Sequence, residues 1–231
     1  MLWFLRSHFV GGVLLACLFS GPAHAIVLLS DNFDTENAGT GTVNYVSFAH
    51  WTVTDGSVDL LGPGLVDFLP GQGIYVDLDG TTSNGARLES QSAFSFDPGS
   101  DITLSFALAG PCLTGLTECG TFPGLNQGPN TVTVSLGGLY VESFTRNFDD
   151  PLEQIVRTFS ASAAVMDERL VFDHNGGDNI GLILDDVELR AVAPTSIPIL
   201  NTALLLLMGI ASLGVQARKS APRRGRRVLS G

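Results

Sequence analysis

Lysine is all but missing from this chain: its 231 residues include one, Lys219. Between residues 26 and 193 there is none, and five arginines face all 23 acidic residues of the chain, a net charge of −18 for that stretch. So anionic a body repels phosphate backbones, which excludes nucleic acid as a partner. It suits solubility outside a cell, or divalent cations. Histidine is scarce too: of four, only His50 and His174 lie in residues 26–193. There is no Gly-x-Ser-x-Gly, no His-Glu-x-x-His and no phosphate loop, so no common catalytic constellation is written here. Paired carboxylates can hydrolyse sugars, but among so many acids no pair stands out. The expectation is a protein that is not an enzyme. Cysteine is limited to Cys17, Cys112 and Cys119. No segment before residue 199 carries a helical period, which argues against a helical body.

The two ends are unlike the middle. Arg6 is followed by the apolar run "FVGGVLLACLFS" and then by Ala23-His24-Ala25. A positive start, an apolar core and small residues two apart are the layout of a secretory signal peptide, residues 1–25, cut after Ala25. "LLAC" ending at Cys17 is a rival lipoprotein box, weakened by Leu15 and by the short apolar core it would leave. Export leaves Cys112 and Cys119 in the Gly/Pro-rich "GPCLTGLTECGTFPG", where an even pair reads as a disulfide closing a small loop. At the other end, Ile199–Val215 is 17 residues without a charge. As a helix it spans about 26 Å, the short limit for a bilayer. Arg218, Lys219, Arg223, Arg224, Arg226 and Arg227 follow, and would stay on the cytoplasmic side. This predicts one transmembrane helix over about 199–217 and a basic end over 218–227, with the acidic body, residues 26–193, outside.

The tail, residues 194–231, resembles the PEP-CTERM class of sorting signals: a short Pro motif, an apolar helix with small residues, then arginines. The carrying residues are Pro194, Ile197, Pro198, Leu200, Arg218 and Lys219. In place of Val-Pro-Glu-Pro the chain reads Ile197-Pro198-Ile199-Leu200, closer to the variant that begins Ile-Pro-Thr-Leu. The resemblance implies an exosortase-like membrane protease-transpeptidase as a partner. It also implies passage through the inner membrane to the cell surface or extracellular matrix of a Gram-negative bacterium.

The body alternates with period two. In "DITLSFALAG", Ile102, Leu104, Phe106 and Leu108 share one face; in "TVTVSLGG", Val132, Val134 and Leu136 do; in "GIYVDLDG", Ile74, Val76 and Leu78 oppose Tyr75, Asp77 and Asp79. Such alternation predicts strands with one wet face. Further strands are expected in Val43–Thr54, Val58–Leu61, Ala86–Phe96, Leu139–Phe144, Ile155–Ser160, Arg169–Asp173 and Ile180–Val192. "GPG", "LPGQG", "DPGS", "GPN" and "HNGGDN" separate them as turns. The predicted fold is all-β, an antiparallel sandwich of the jelly-roll kind. "FAHWTVTDG", "DFLPGQGIYVDLDG" and "GGDNIGLILDDVEL" resemble a recurring PEP-CTERM ectodomain, itself similar to galactose-binding-like jelly rolls.

Two site expectations follow. In "IGLILDDVELR", alternation places Asp185 with Ile183, Val187 and Leu189. A bare carboxylate there is costly unless it is paired, bulged away or bound to metal. In jelly rolls of this look a structural Ca²⁺ joins first and last strands, which implies Asp31, Asp34 and Asp185 as ligands. "DHNGGDN", with Asp173, Asn175 and Asp178, reads as a turn. Trp51 is expected in the core. Tyr75, beside Asp77 on the face expected to be wet, is the candidate glycan contact. Together these point to a surface or matrix protein associated with exopolysaccharide, with a secreted carbohydrate-active hydrolase or a purely structural matrix protein as alternatives.

Overall fold

A computed structural model describes residues 24–82, 84–111, 129–176, 179 and 181–194. The expected transmembrane helix, most of the sorting motif and the Cys112–Cys119 pair lie outside these residues. Pro194 alone of the motif lies within them. Among the described residues no helix is long and apolar enough to cross a membrane.

The described body is all-β. Its strands are β1 (Ala25–Asp31), β2 (Trp51–Asp55), β3 (Asp59–Leu61), β4 (Tyr75–Asp77), β5 (Arg87–Ser90), β6 (Phe94–Phe96), β7 (Asp101–Ala109), β8 (Asn130–Leu136), β9 (Tyr140–Arg146), β10 (Glu153–Ser160), β11 (Val165–Glu168), β12 (Leu170–His174) and β13 (Ile183–Val192). One sheet runs β10-β7-β13-β4-β3, with β1 also on β13; the other runs β2-β5-β12-β8-β9; β11 and β6 form a two-stranded ribbon. Every pairing is antiparallel. The non-consecutive order in both sheets means that the chain crosses repeatedly between them, as a jelly-roll winding requires.

The alternating apolar residues read from the sequence line the space between the sheets. Ile102, Leu104, Phe106, Leu108, Val132, Val134, Leu136, Ile74, Val76 and Leu78 all belong to one buried cluster. Its aromatic centre is edge-to-face: Phe106 to Phe172 at 5.3 Å, Trp51 to Phe172 at 5.7 Å, Phe106 to Phe144 at 5.3 Å. Each large side chain so buried contributes about 1.5–3 kcal/mol. Where β9 and β10 bring the two sheets together, Arg157 forks onto both oxygens of Glu142 at 2.7 Å. Beside it Tyr140 and Phe159 stack at 4.9 Å.

Three expectations are corrected. Val43–Ala49 is not a strand: Asn44 has φ +51°, and Val43, Val46 and Ala49 are exposed, so the strand begins only at Trp51. Trp51 is buried nonetheless. Ala86–Phe96 breaks into β5 and β6 at a turn where the Ser90 hydroxyl donates to the Ser92 carbonyl. In β13 the phase shifts. Asp185 pairs with Ala107 and Glu188 with Ser105, so one extra residue is accommodated by a bulge, with Asp186 at φ +48°. Leu182 and Leu184 before it, and Val187 and Leu189 after it, all face the main core. Ile183 therefore lies on the other face from Val187, against the alternation drawn from sequence.

Candidate functional site

β1 runs beside the last strand and ends at Asp31, which brings the loop after it against the β13 bulge. That loop is tightly held. The Phe33 amide donates to Asp31 Oδ1 and the Trp51 indole to Oδ2, both at 2.9 Å. The Ile74 amide donates to Asp34 Oδ1 at 2.9 Å, and the Asn32 amide group to Oδ2 at 2.7 Å. Gly73, at φ +82°, allows this approach: a Cβ there would meet Asp34 Oδ1 at 1.8 Å. Buried Glu36 receives the Ala49 amide at 2.8 Å and the Tyr45 hydroxyl at 3.1 Å. Phe33, Asn37 and Ala38 all have positive φ, so backbone strain gathers in this segment.

Asp185 is 2% exposed, and its Oδ1 accepts the Asp186 amide at 2.8 Å. Burial pushes its pKa up to about 7; the Asp186 amide opposes this, while the charges of Asp186, Asp34 and Asp31 add to it. The structure thus brings Asp31, Asp34 and Asp185 into one electrostatic group. It does not draw them into a finished coordination shell: among the described residues no three His, Cys, Asp or Glu side chains are set to hold a metal. The bulge considered from sequence is present, and the calcium assignment is not carried by these carboxylates alone.

Beside this group opens a cleft of about 640 Å³. It is lined by Ser30, Asp31, Asn32, Thr35, Glu36, Ala49, His50, Ser105, Gln154, Asp186, Val187 and Glu188. Nearly all of these carry hydrogen-bonding side chains. Glu188 is engaged by Arg190, which holds its carboxyl below the ordinary range.

The glycan contact expected at Tyr75 is overturned. Tyr75 is fully buried, and Asp77 is 7% exposed. The outer face of β4 is covered by the loop after β3, and Leu61, Leu69, Tyr75, Ala109 and Ile183 form a second small core there, with Phe68 and Leu152 against it. The Tyr75 hydroxyl takes the Phe68 and Leu69 amides at 2.5 and 2.9 Å and donates to Asp67 at 3.1 Å. Burial raises its pKa. Asp77 Oδ1 takes the Asp79 and Gly181 amides at 2.9 and 2.8 Å. The signal missed was the loop itself: "GPGLVDFLPGQG" carries Leu65, Val66, Phe68 and Leu69, more apolar surface than a solvated turn needs.

The outer face of the five-stranded sheet is mostly polar and part-exposed, with Val171 buried within it. Thr52, Glu89, Val171, Ser135 and Val141 lie in one cross-strand row; Arg87, Asp173, Thr133 and Ser143 lie in the next. Arg87 reaches Asp173 at 2.9 Å, and the Thr133 and Ser143 hydroxyls pair at 2.9 Å. The aromatic rings among the described residues are buried or half-buried.

No family model matches the chain, and no curated protein matches it. Solved structures do resemble it. One is the CBM22-1–GH10 part of an endo-1,4-β-D-xylanase from Clostridium thermocellum complexed with xylohexaose. It is 15% identical with a TM-score of 0.41, over 71% of this chain and 28% of that one. Another is the cleaved adhesin domain of Lys-gingipain from Porphyromonas gingivalis, 14% identical with a TM-score of 0.40, over 72% and 99%. A third is the C-terminal CBM6 of a marine laminarinase from Zobellia galactanivorans, 10% identical with a TM-score of 0.36, over 66% and 99%. Likenesses this distant carry no argument about ligand or activity.

Proposed function

We propose that this is an exported, non-enzymatic protein of the cell surface or extracellular matrix, delivered by residues 1–25 and sorted or anchored by residues 194–231. Its body associates with glycans through the cleft between the β1 end and the β13 bulge. One observation carries the glycan part: a cleft of about 640 Å³ lined mostly by hydroxyl, amide and carboxylate groups from strands β1, β7, β10 and β13 and the loop after β1. Such a lining matches sugar hydroxyls by hydrogen bonding alone. The net charge of −18 over residues 26–193 favours neutral polysaccharides over acidic ones. Three of the four cleft carboxylates have structural duties: Asp31 holds an amide and an indole, Glu36 an amide and a tyrosine hydroxyl, and Glu188 an arginine. That leaves them ill-suited to proton transfer and favours binding over hydrolysis.

The test is a pull-down of the full chain, in detergent, on neutral and acidic exopolysaccharides. Neutral polymers are expected to retain it, and Asn32→Ala with Gln154→Ala to weaken retention about ten-fold. Unchanged retention by that variant rejects the cleft, and turnover of the polymer promotes the hydrolase alternative. Mass spectrometry of the mature protein tests sorting: residues beyond Pro194 are expected to be absent from surface material.

A further inference from the structure

Three turns of the body meet glycine to glycine. Gly56 follows β2, Gly85 precedes β5 and Gly176 follows β12. A Cβ at Gly56 would overlap the Asn84 and Gly85 carbonyl oxygens. One at Gly85 would overlap the Gly176 amide and the His174 carbonyl. One at Gly176 would overlap the Gly85 main chain, with Asp79 Oδ2 2.7 Å away. The junction is backbone against backbone and has no room for another carbon. Main-chain hydrogen bonds latch it: the Ser57 amide donates to the Asn84 carbonyl at 3.2 Å, and the Gly80 amide to the Ser57 carbonyl at 2.9 Å.

Each of these glycines follows an aspartate or an asparagine: Asp55-Gly56, Asn84-Gly85 and Asn175-Gly176. Such a pair is able to close on itself. The glycine nitrogen attacks the side-chain carbonyl carbon of the residue before it, and the missing Cβ leaves that approach open. An ionised carboxylate resists the attack, whereas a carboxamide parts with ammonia, so the asparagines are the reactive members.

Asn84 is the one whose main chain carries the latch. Its side chain is exposed, and its Nδ2 donates to Asp55 Oδ1 at 3.2 Å. Gly85 lies outside the strands, so its nitrogen belongs to no ladder. Thr81 and Thr82 in the same turn are exposed as well, which admits water and local opening.

We propose that Asn84 is a site of spontaneous covalent modification that unlatches the three turns as the protein ages. The Gly85 nitrogen forms a bond to Asn84 Cγ, the Cγ–Nδ2 bond breaks, and the proton from the Gly85 amide leaves with the nitrogen as ammonia. Water then opens the succinimide at either of its two carbonyls, giving aspartate or isoaspartate. Aspartate replaces a donor to Asp55 with a second carboxylate, and the two repel. Isoaspartate routes the main chain through the side-chain carbon, one carbon longer, where three backbones already touch. The site shares no residue with the cleft and does not depend on glycan binding.

The test ages the full chain in detergent at mildly alkaline pH and maps its peptides by mass spectrometry. Asn84 is expected to convert about ten-fold faster than Asn32 and Asn44, which are also exposed but precede Phe33 and Tyr45. Both aspartate and isoaspartate are expected. Hydrogen exchange at the Ser57 amide is expected to speed up in the aged chain. It should stay slow in aged Asn84→Gln, whose longer side chain closes a larger ring more slowly. Conversion no faster than at Asn44 overturns the proposal. So does aspartate without isoaspartate, the mark of direct hydrolysis, or conversion that leaves Ser57 exchange unchanged. The wild-type chain, compared before and after ageing, decides even if the variant fails to fold.

Discussion

The two sheets carry the same period-two pattern and treat their outer faces in opposite ways. On the five-stranded sheet most side chains opposite the core reach solvent: Thr133 pairs with Ser143, and Arg87 with Asp173. On the other sheet Tyr75 and Ile183 occupy the equivalent outward positions and are sealed beneath the loop after β3. Alternation therefore sorts side chains into two faces and does not say whether either face meets water. What decides that is the neighbouring loop, and here its apolar residues decide it.

Breaking the covered face costs the most. Tyr75→Ala is expected to destabilise by about 3–5 kcal/mol in urea denaturation, the range for losing a buried aromatic; a loss below about 1 kcal/mol would mean that the loop does not seal the face. Next comes Asp185. Its folded pKa, about 7, lies above its unfolded value. Its contribution to stability is thus full below the unfolded pKa, near about 4, and is lost as pH rises to about 7. Asp185→Asn, melted in EDTA across that window, is expected to flatten this slope and raise stability at pH 8, by an amount on the order of a few kcal/mol at most. His174 runs the other way: its pKa is lowered to about 4, so its contribution is present above its unfolded value and lost as pH falls. The slope left in the Asp185 variant should therefore carry more of His174's acid sensitivity. Tyr75→Phe strands the Phe68 and Leu69 amides and should cost about 1–3 kcal/mol. The smallest effect belongs to the open face: Thr133→Ala is expected within about 0.5 kcal/mol of wild type. A larger change there would mean that something covers that face.

The strand pattern, the inter-sheet core and the burial of Trp51 were legible because each rests on local periodicity. Asp185 was legible as an anomaly, a carboxylate among apolar neighbours; the bulge is there, and it leaves Asp185 buried. The bulge itself was only one option, because an extra residue in β13 has no mark until β7 is laid beside it. The faces of β13 were therefore misassigned beyond Asp185. Tyr75 was misread because its environment comes from a loop that follows no period. For Asp31 and Asp34 the partner was legible; the arrangement of their oxygens was not.

The pairing of Ile26 with Ala191 puts the two ends of the folded body side by side. The strand that leaves at residue 192 is β13, hydrogen-bonded to β7 on one side and to β1 and β4 on the other. A tether pulling on the chain beyond it would load three ladders in shear and would not peel a rim strand. A body so tethered would hang from the strand with the most hydrogen-bonded neighbours among those described.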